Sequence, residues 1–168
     1  MYTAGIITMS DKGSRGERVD KSGPLIEEIL RTTKVYEVKE MILIPDDKEQ
    51  ILEELIRMSD ILKLDLILTT GGTGFSIRDV TPEATLAAAT RNAPGIAEAI
   101  RAYSMTVTKR AMLSRGVSVI RGQTLIINLP GSPKAVEESL TYILSELGHG
   151  IDILKGSASE CARREGNS

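Results

Sequence analysis

The sequence predicts a three-layer α/β/α sandwich around a mainly parallel, mixed sheet with one antiparallel hairpin strand. Three observations carry this. Short apolar runs alternate with segments of helical spacing along a chain of 168 residues, the pattern of a single α/β domain. Late in the chain, Val117-Ser118-Val119-Ile120 and Leu125-Ile126-Ile127-Asn128 flank Arg121-Gly122-Gln123-Thr124, which reads as a β-hairpin and puts an antiparallel strand at one side of the sheet. Ser10, Asp46, Gly71 to Asp79 and Asn128 to Ser132 each follow a predicted strand, so they can share the one sheet rim where α/β folds collect ligands.

The elements follow in order. Ala4 to Met9 is a short buried strand. Asp11 to Gly23 is polar and glycine-bearing and reads as a mobile loop. Pro24 opens a helix whose apolar face is Leu25, Ile26, Ile29 and Leu30. Val35 to Ile44 is a strand. From Asp46 a second helix runs, with Ile51, Leu55, Met58 and Leu62 at helical spacing and Leu52 and Ile56 widening the stripe. Leu66 to Thr70 is a strand feeding a glycine turn. Thr81-Pro82-Glu83 is a helix start, with a capping hydroxyl, a first-turn proline and an acid near the positive end. Ala93-Pro94-Gly95 begins another helix. After the hairpin, Ser132-Pro133 starts the last long helix, with Val136, Leu140, Ile143 and Leu147 facing inward and a final turn added from His149. Residues 1–156 are read as the domain and 157–168, which lack an apolar pattern, as a flexible tail.

Composition narrows the function. Hydrophobic residues make up 41% of the chain, a globular level. A formal net charge of −2, no tryptophan and a single phenylalanine, Phe75, argue against a nucleic-acid surface. No apolar run has the length of a membrane span, and Met1 to Gly5 lacks a basic signal-peptide start. Cys161 is the sole cysteine, so no intramolecular disulfide or cysteine metal cluster is expected, and a cytoplasmic setting is compatible. His149, the sole histidine, reads as a helix-end or packing residue, and Ser-His-Asp chemistry has no local support.

The chemistry concentrates in Gly71-Gly72-Thr73-Gly74 and Arg78-Asp79-Val80-Thr81-Pro82-Glu83. A strand that empties into glycines and then a helix start can hold phosphate through backbone N–H groups. The spacing is neither that of a P-loop nor that of a dinucleotide fingerprint, and a plain strand-to-helix turn is the competing reading. Arg78 can meet phosphate directly. Asp79 beside an anion site requires an intervening cation or proton, although an Asx-turn ahead of Thr81 also accounts for it. Asp46 fits a capping box, Asp46 as cap and Glu49 at the third helical position, and a functional role can coexist with that. Ser132 is either a helix cap or a ligand contact. Ser10-Asp11 and Asp20 to Ser22 are weaker candidates, set against a solvated loop, and Lys134 reads as surface charge.

The run from Thr69 to Thr85, TTGGTGFSIRDVTPEAT, closely resembles the signature of the molybdenum-cofactor biosynthesis family, which includes the molybdopterin adenylyltransferases and the G domains of gephyrin-like proteins. Ser10-Asp11-Lys12 with Asp20-Lys21-Ser22-Gly23, Ile44-Pro45-Asp46-Asp47, and Asn128-Leu129-Pro130-Gly131-Ser132-Pro133-Lys134-Ala135 agree with it in order and spacing, over about Tyr2 to Gly156. One subgroup has an extra segment after the last long helix, where this chain passes from Leu147-Gly148-His149-Gly150 into its tail. The resemblance implies transfer of AMP from MgATP to the terminal phosphate of molybdopterin with release of pyrophosphate. It implies Asp46 and Asp79 as catalytic residues and Mg²⁺ ligands, and Ser10, Gly71, Gly72, Thr73, Gly74, Pro130, Gly131 and Ser132 as substrate-binding residues. It also implies a homotrimer and a molybdate-insertion protein as a partner. The alternatives within reach are a non-catalytic molybdopterin binder and a scaffold module.

Overall fold

The computed structural model describes residues 1–157. The expected tail therefore lies almost wholly outside the described residues, as does Cys161. Six strands form one mixed sheet in the order β2-β1-β3-β6-β5-β4: β1 is Tyr2–Met9, β2 Tyr36–Ile44, β3 Leu66–Thr70, β4 Arg91–Asn92, β5 Ser118–Arg121 and β6 Thr124–Leu129. β1 pairs in parallel with β2 and β3, and β3 with β6. β5 runs antiparallel to β6 as the hairpin predicts, with Gly122 at φ +57 in the turn. The two-residue β4, antiparallel to β5, was not legible. Its exposed Arg91-Asn92 carries no apolar alternation.

Side-chain alternation along each strand divides the core into two layers. Ile6, Leu66, Leu68 and Ile127 face α2 (Ser22–Thr32), α5 (Pro94–Val107) and α6 (Pro133–Leu154), meeting Ile26, Leu30, Ile100 and Leu140. Ile7, Ile67 and Ile126 face α3 (Lys48–Ile56) and α4 (Thr81–Ala88), meeting Ile51, Leu55 and Ala84. This is the expected three-layer sandwich. Among the described residues no helix is long and apolar enough to cross a membrane.

Several local expectations are corrected. The Asp11 to Gly23 segment is more ordered than its composition suggests. Asp11–Ser14 forms a short helix, α1, capped by Ser10, and Asp20 accepts hydrogen bonds from the backbone N–H groups of Ser22 and Gly23 at 3.0 Å each. After α3 the chain widens into a π-helical turn over Arg57–Ile61. That turn shifts the helical phase, so Leu62 is 39% exposed and Leu64 fills the core instead. Thr81 does not cap α4. Its hydroxyl donates to the Gly71 carbonyl at 3.0 Å, and Val80 is the cap residue. α6 continues through Gly148 and Gly150 to Leu154, which leaves His149 exposed within the helix. Gly148 lets the Tyr2 ring approach, and its carbonyl accepts from the Tyr2 hydroxyl at 3.1 Å.

Asn128 joins the layers from a buried position in β6. Its amide nitrogen donates to the hydroxyls of Thr69 and Thr85 at 2.9 Å each, and its oxygen accepts from the Val117 N–H at 3.1 Å. Replacing it strands buried partners on β3, on α4 and beside β5. Asn128→Ala is expected to lower stability by about 2–3 kcal/mol, measured as a reduced urea midpoint with an unchanged m value. An unchanged midpoint would show that the network is dispensable.

Candidate active site

The parallel strands β1, β2, β3 and β6 end on one rim of the sheet, and the loops that follow them enclose a cavity of about 650 Å³. Of the residues expected in a site, Ser10, Asp46, Gly71, Gly72, Asp79, Gly131 and Ser132 line it. Thr73, Gly74 and Pro130 do not. Thr73 and Gly74 turn their carbonyls to Arg115, at 2.9 Å from its backbone nitrogen and 2.7 Å from its Nε, and the Pro130 carbonyl accepts from the Thr70 hydroxyl at 2.6 Å.

Asp46 is separated from the capping role that its spacing suggests. Asp47 caps α3, accepting from the Gln50 N–H at 2.9 Å. The Asp46 carboxylate instead turns toward the cavity, where its Oδ2 accepts from the Asp11 N–H at 2.9 Å. Asp11 Oδ1 in turn accepts from the Asp46 N–H at 3.0 Å, so two loops are joined reciprocally. Burial pushes the Asp46 carboxyl above the usual carboxylate range; the Asp11 N–H opposes this, while the charges of Asp11 and Asp79 add to it. Asp11 is itself held below its ordinary value, first by its hydrogen bonds with Arg78, at 2.9 and 3.0 Å. Arg78 thus meets a carboxylate here, across the rim from its own loop.

The glycines have packing reasons of their own. Gly71 has φ +92, and a β-carbon there would lie 2.4 Å from the Met9 carbonyl oxygen. Gly72 has φ +68, and a β-carbon there would lie 2.4 Å from the Thr81 hydroxyl and 3.0 Å from Asp46 Oδ1. Glycine therefore lets the turn pass close to β1, α4 and Asp46 at once. Asp79 does not form the Asx-turn expected ahead of Thr81, whose N–H donates to the Gly72 carbonyl at 3.2 Å; its Oδ2 instead reaches back to accept from the Ser76 N–H at 3.1 Å, and its own N–H donates to the Ser76 carbonyl at 3.0 Å. Ser132 caps α6, accepting from the Ala135 N–H at 3.3 Å, while also lining the cavity. Ser10 likewise both caps α1 and lines it. Ser22 donates to the Gly131 carbonyl at 2.9 Å, and Asp20 accepts from the Thr8 hydroxyl at 2.8 Å, so the Asp20 to Ser22 segment forms part of the wall.

Sequence reasoning missed Arg18; Lys21 falls within the weaker candidate stretch Asp20 to Ser22, and both line the cavity with no ion-pair partner among the described residues. It missed Arg115 as well, an arginine in a polar stretch with no motif to mark it. The cavity therefore has an acidic side, with Asp46 and Asp79, and two cations on the Arg18 to Ser22 wall. Among the described residues no three His, Cys, Asp or Glu side chains group into a metal site. Asp46 and Asp79 suit a cation that takes few protein oxygens and completes its shell with phosphate and water, as Mg²⁺ does.

Comparison with known proteins identifies the family. The family described as "Probable molybdopterin binding domain", of molybdenum-cofactor biosynthesis, matches residues 5–149. The chain is 44% identical over 153 residues to the molybdopterin adenylyltransferase of Escherichia coli K12, covering 88% of this chain and 78% of that protein. It is 36% identical over 154 residues to the molybdopterin adenylyltransferase of Helicobacter pylori J99, covering 91% and 88%. The crystal structure of the molybdopterin biosynthesis enzyme MoaB from Thermus thermophilus superposes with a TM-score of 0.86 at 46% identity, covering 93% of this chain and 98% of that one. With the family matched over most of its length and the strand-end loops gathered round one cavity, the chain belongs to the molybdenum-cofactor biosynthesis family.

Proposed function

We propose that the chain is a molybdopterin adenylyltransferase, a nucleotidyltransferase that moves AMP from ATP to the terminal phosphate of molybdopterin. The observation that carries this reading is the meeting of Asp46, Asp79, the Gly71-Gly72 turn and the Gly131-Ser132 turn around one cavity. An oxygen of the molybdopterin phosphate attacks the α-phosphorus of ATP, the bond from that phosphorus to the β-bridging oxygen breaks, and pyrophosphate leaves. The attacking phosphate is already largely ionised near neutral pH, so no side-chain base is required. The work of the protein is to bring two anions together in line and to offset their charge. Arg18 and Lys21 supply cations on one wall, and Ser10 and Ser132, each at a helix start, line the cavity as well. Asp46 and Asp79 would hold Mg²⁺, which when bound neutralises charge on the triphosphate and the departing pyrophosphate. The proposal includes a cytoplasmic homotrimer that passes its product to a molybdate-insertion protein. Support for self-association comes from Met105, Val107, Met112 and Leu113, which lie close along the chain and are 43–56% exposed.

Incubation with molybdopterin and MgATP is expected to yield adenylylated molybdopterin and stoichiometric pyrophosphate, with little pyrophosphate released by MgATP alone. Equal release with and without molybdopterin would indicate a nucleotide hydrolase. Binding of molybdopterin without product would indicate a non-catalytic family member.

Two neighbouring aspartates separate capping from catalysis. Asp47→Ala is expected to cost about 1 kcal/mol through the lost cap while turnover per folded molecule is kept. Asp46→Asn retains an acceptor for the Asp11 N–H, so melting should hold while turnover collapses. Thermal melts and product formation on the same preparations test this, and normal turnover in Asp46→Asn would remove Asp46 from the reaction.

Gly72→Ala is expected to lose about 1–3 kcal/mol from strain at positive φ and to weaken molybdopterin binding by displacing Asp46. Thr73→Ser, away from the cavity wall, should bind as the parent chain does. Urea midpoints and ligand titrations of both variants decide it; a fully competent Gly72→Ala would refute the steric argument.

A further inference from the structure

The segment from Gly74 to Asp79 carries one of the two proposed metal-holding carboxylates, yet little packing holds it. Phe75 is 71% and Ile77 94% exposed. The loop's own Ser76–Asp79 hydrogen bonds close a small ring and tie it to nothing else. On the cavity side the loop has one side-chain tie, the bidentate pair of Arg78 with Asp11 at 2.9 and 3.0 Å, made by an arginine side chain that is 60% exposed.

The firmer attachment is on the other side. Arg115 spans the base of the loop: its backbone N–H donates to the Thr73 carbonyl at 2.9 Å, its Nε to the Gly74 carbonyl at 2.7 Å and its Nη2 to the Asp79 carbonyl at 2.7 Å. Its Nη1 pairs with Glu83 on α4, which fixes the guanidinium to the helix that follows. A planar guanidinium offers donors at fixed angles to several acceptors together, which a lysine ammonium does not reproduce. Arg115 does not line the main cavity. It faces a second hollow behind the loop, with Lys48, Val80 and Glu83. Any influence on the reaction must therefore pass through the groups it holds, the end of the glycine turn at Thr73-Gly74 and Asp79, of which only Asp79 carries a carboxylate into the cavity.

We infer that Arg115 is a positioning residue that clamps both ends of the 74–79 loop to α4 and so holds the Asp79 carboxylate at the cation site. The inference rests on the transferase reading above. Groups that orient metal-binding side chains without touching the metal typically change affinity or activity by about 10–100-fold when removed.

Arg115→Lys and Arg115→Gln test it, with two readouts taken below the melting temperature of each variant. Backbone amide exchange over residues 74–79 is expected to speed up relative to the parent chain, while exchange in the β1–β3–β6 core is unchanged. The Mg²⁺ concentration giving half-maximal adenylylation is expected to rise by about 10–100-fold, with the KM for molybdopterin much less affected. A purely structural arginine would lower the melting temperature and leave the Mg²⁺ half-saturation where it was. Unchanged exchange in both variants overturns the clamp. Faster exchange with an unchanged Mg²⁺ requirement overturns the link to Asp79. If the parent chain makes no adenylylated molybdopterin, the transferase reading falls with it, and Mg²⁺ protection of the 74–79 amides in parent and variants then decides the clamp: protection equal in all three refutes it.

Discussion

Parallel pairing of β1 with β3, and of β3 with β6, is the constraint on which the site depends. Thr8 lies opposite Thr70, and Thr70 opposite Leu129, so three strands finish level with one another. Their following loops must then leave from the same rim, although they are separated by some sixty residues of chain at each step. The pairing persists because both faces of these strands are buried: Ile6, Leu68 and Ile127 on one side, Ile7, Ile67 and Ile126 on the other. A shift of one residue in register would exchange the faces and misalign the rim. Thr69, Thr85 and Asn128 add a buried polar link that apolar packing alone would leave unspecified.

Electrostatics on that rim are arranged in opposition. Burial, joined by the nearby charges of Asp11 and Asp79, pushes the Asp46 carboxyl up, while Arg78 stabilises the charge on Asp11. Arg18 and Lys21 stand on the wall from Arg18 to Ser22 without carboxylate partners among the described residues. Such a division suits a substrate pair that is anionic and brings a divalent cation. It would be a poor arrangement for a neutral ligand, because the acidic cluster would stay uncompensated.

Capping a helix and lining the cavity draw on the same residue types, and the structure distributes the two roles. Ser10 and Ser132 do both, because a cap hydroxyl at a helix start on the rim also faces the cavity. Asp46 and Asp47 divide the roles between adjacent positions. The glycine turn shows the same economy, since Gly71 and Gly72 are required by the closeness of Met9, Thr81 and Asp46 whether or not an anion is bound.

Periodicity and turn chemistry alone were enough for the sandwich, for the hairpin at Gly122, for the inward faces of α2 and α6, and for placing four loops on one rim. Each of these rests on local rules: two-residue alternation, helical spacing, and glycine or proline punctuation. The motif from Gly71 to Glu83, with its three companions, was likewise enough for the family. Other features needed the folded chain. Spacing made Asp46 the cap, and only the path of the Ile44-Pro45 turn gives that role to Asp47 and faces the Asp46 carboxylate to the cavity. The π-helical turn at Arg57–Ile61 moved Leu62 outward because core shape, not propensity, set the phase there. Arg115 became visible as a partner of Gly74, Asp79 and Glu83 only after more than thirty intervening residues had been folded away, since a guanidinium's acceptors are chosen by geometry in space and leave no pattern along the chain.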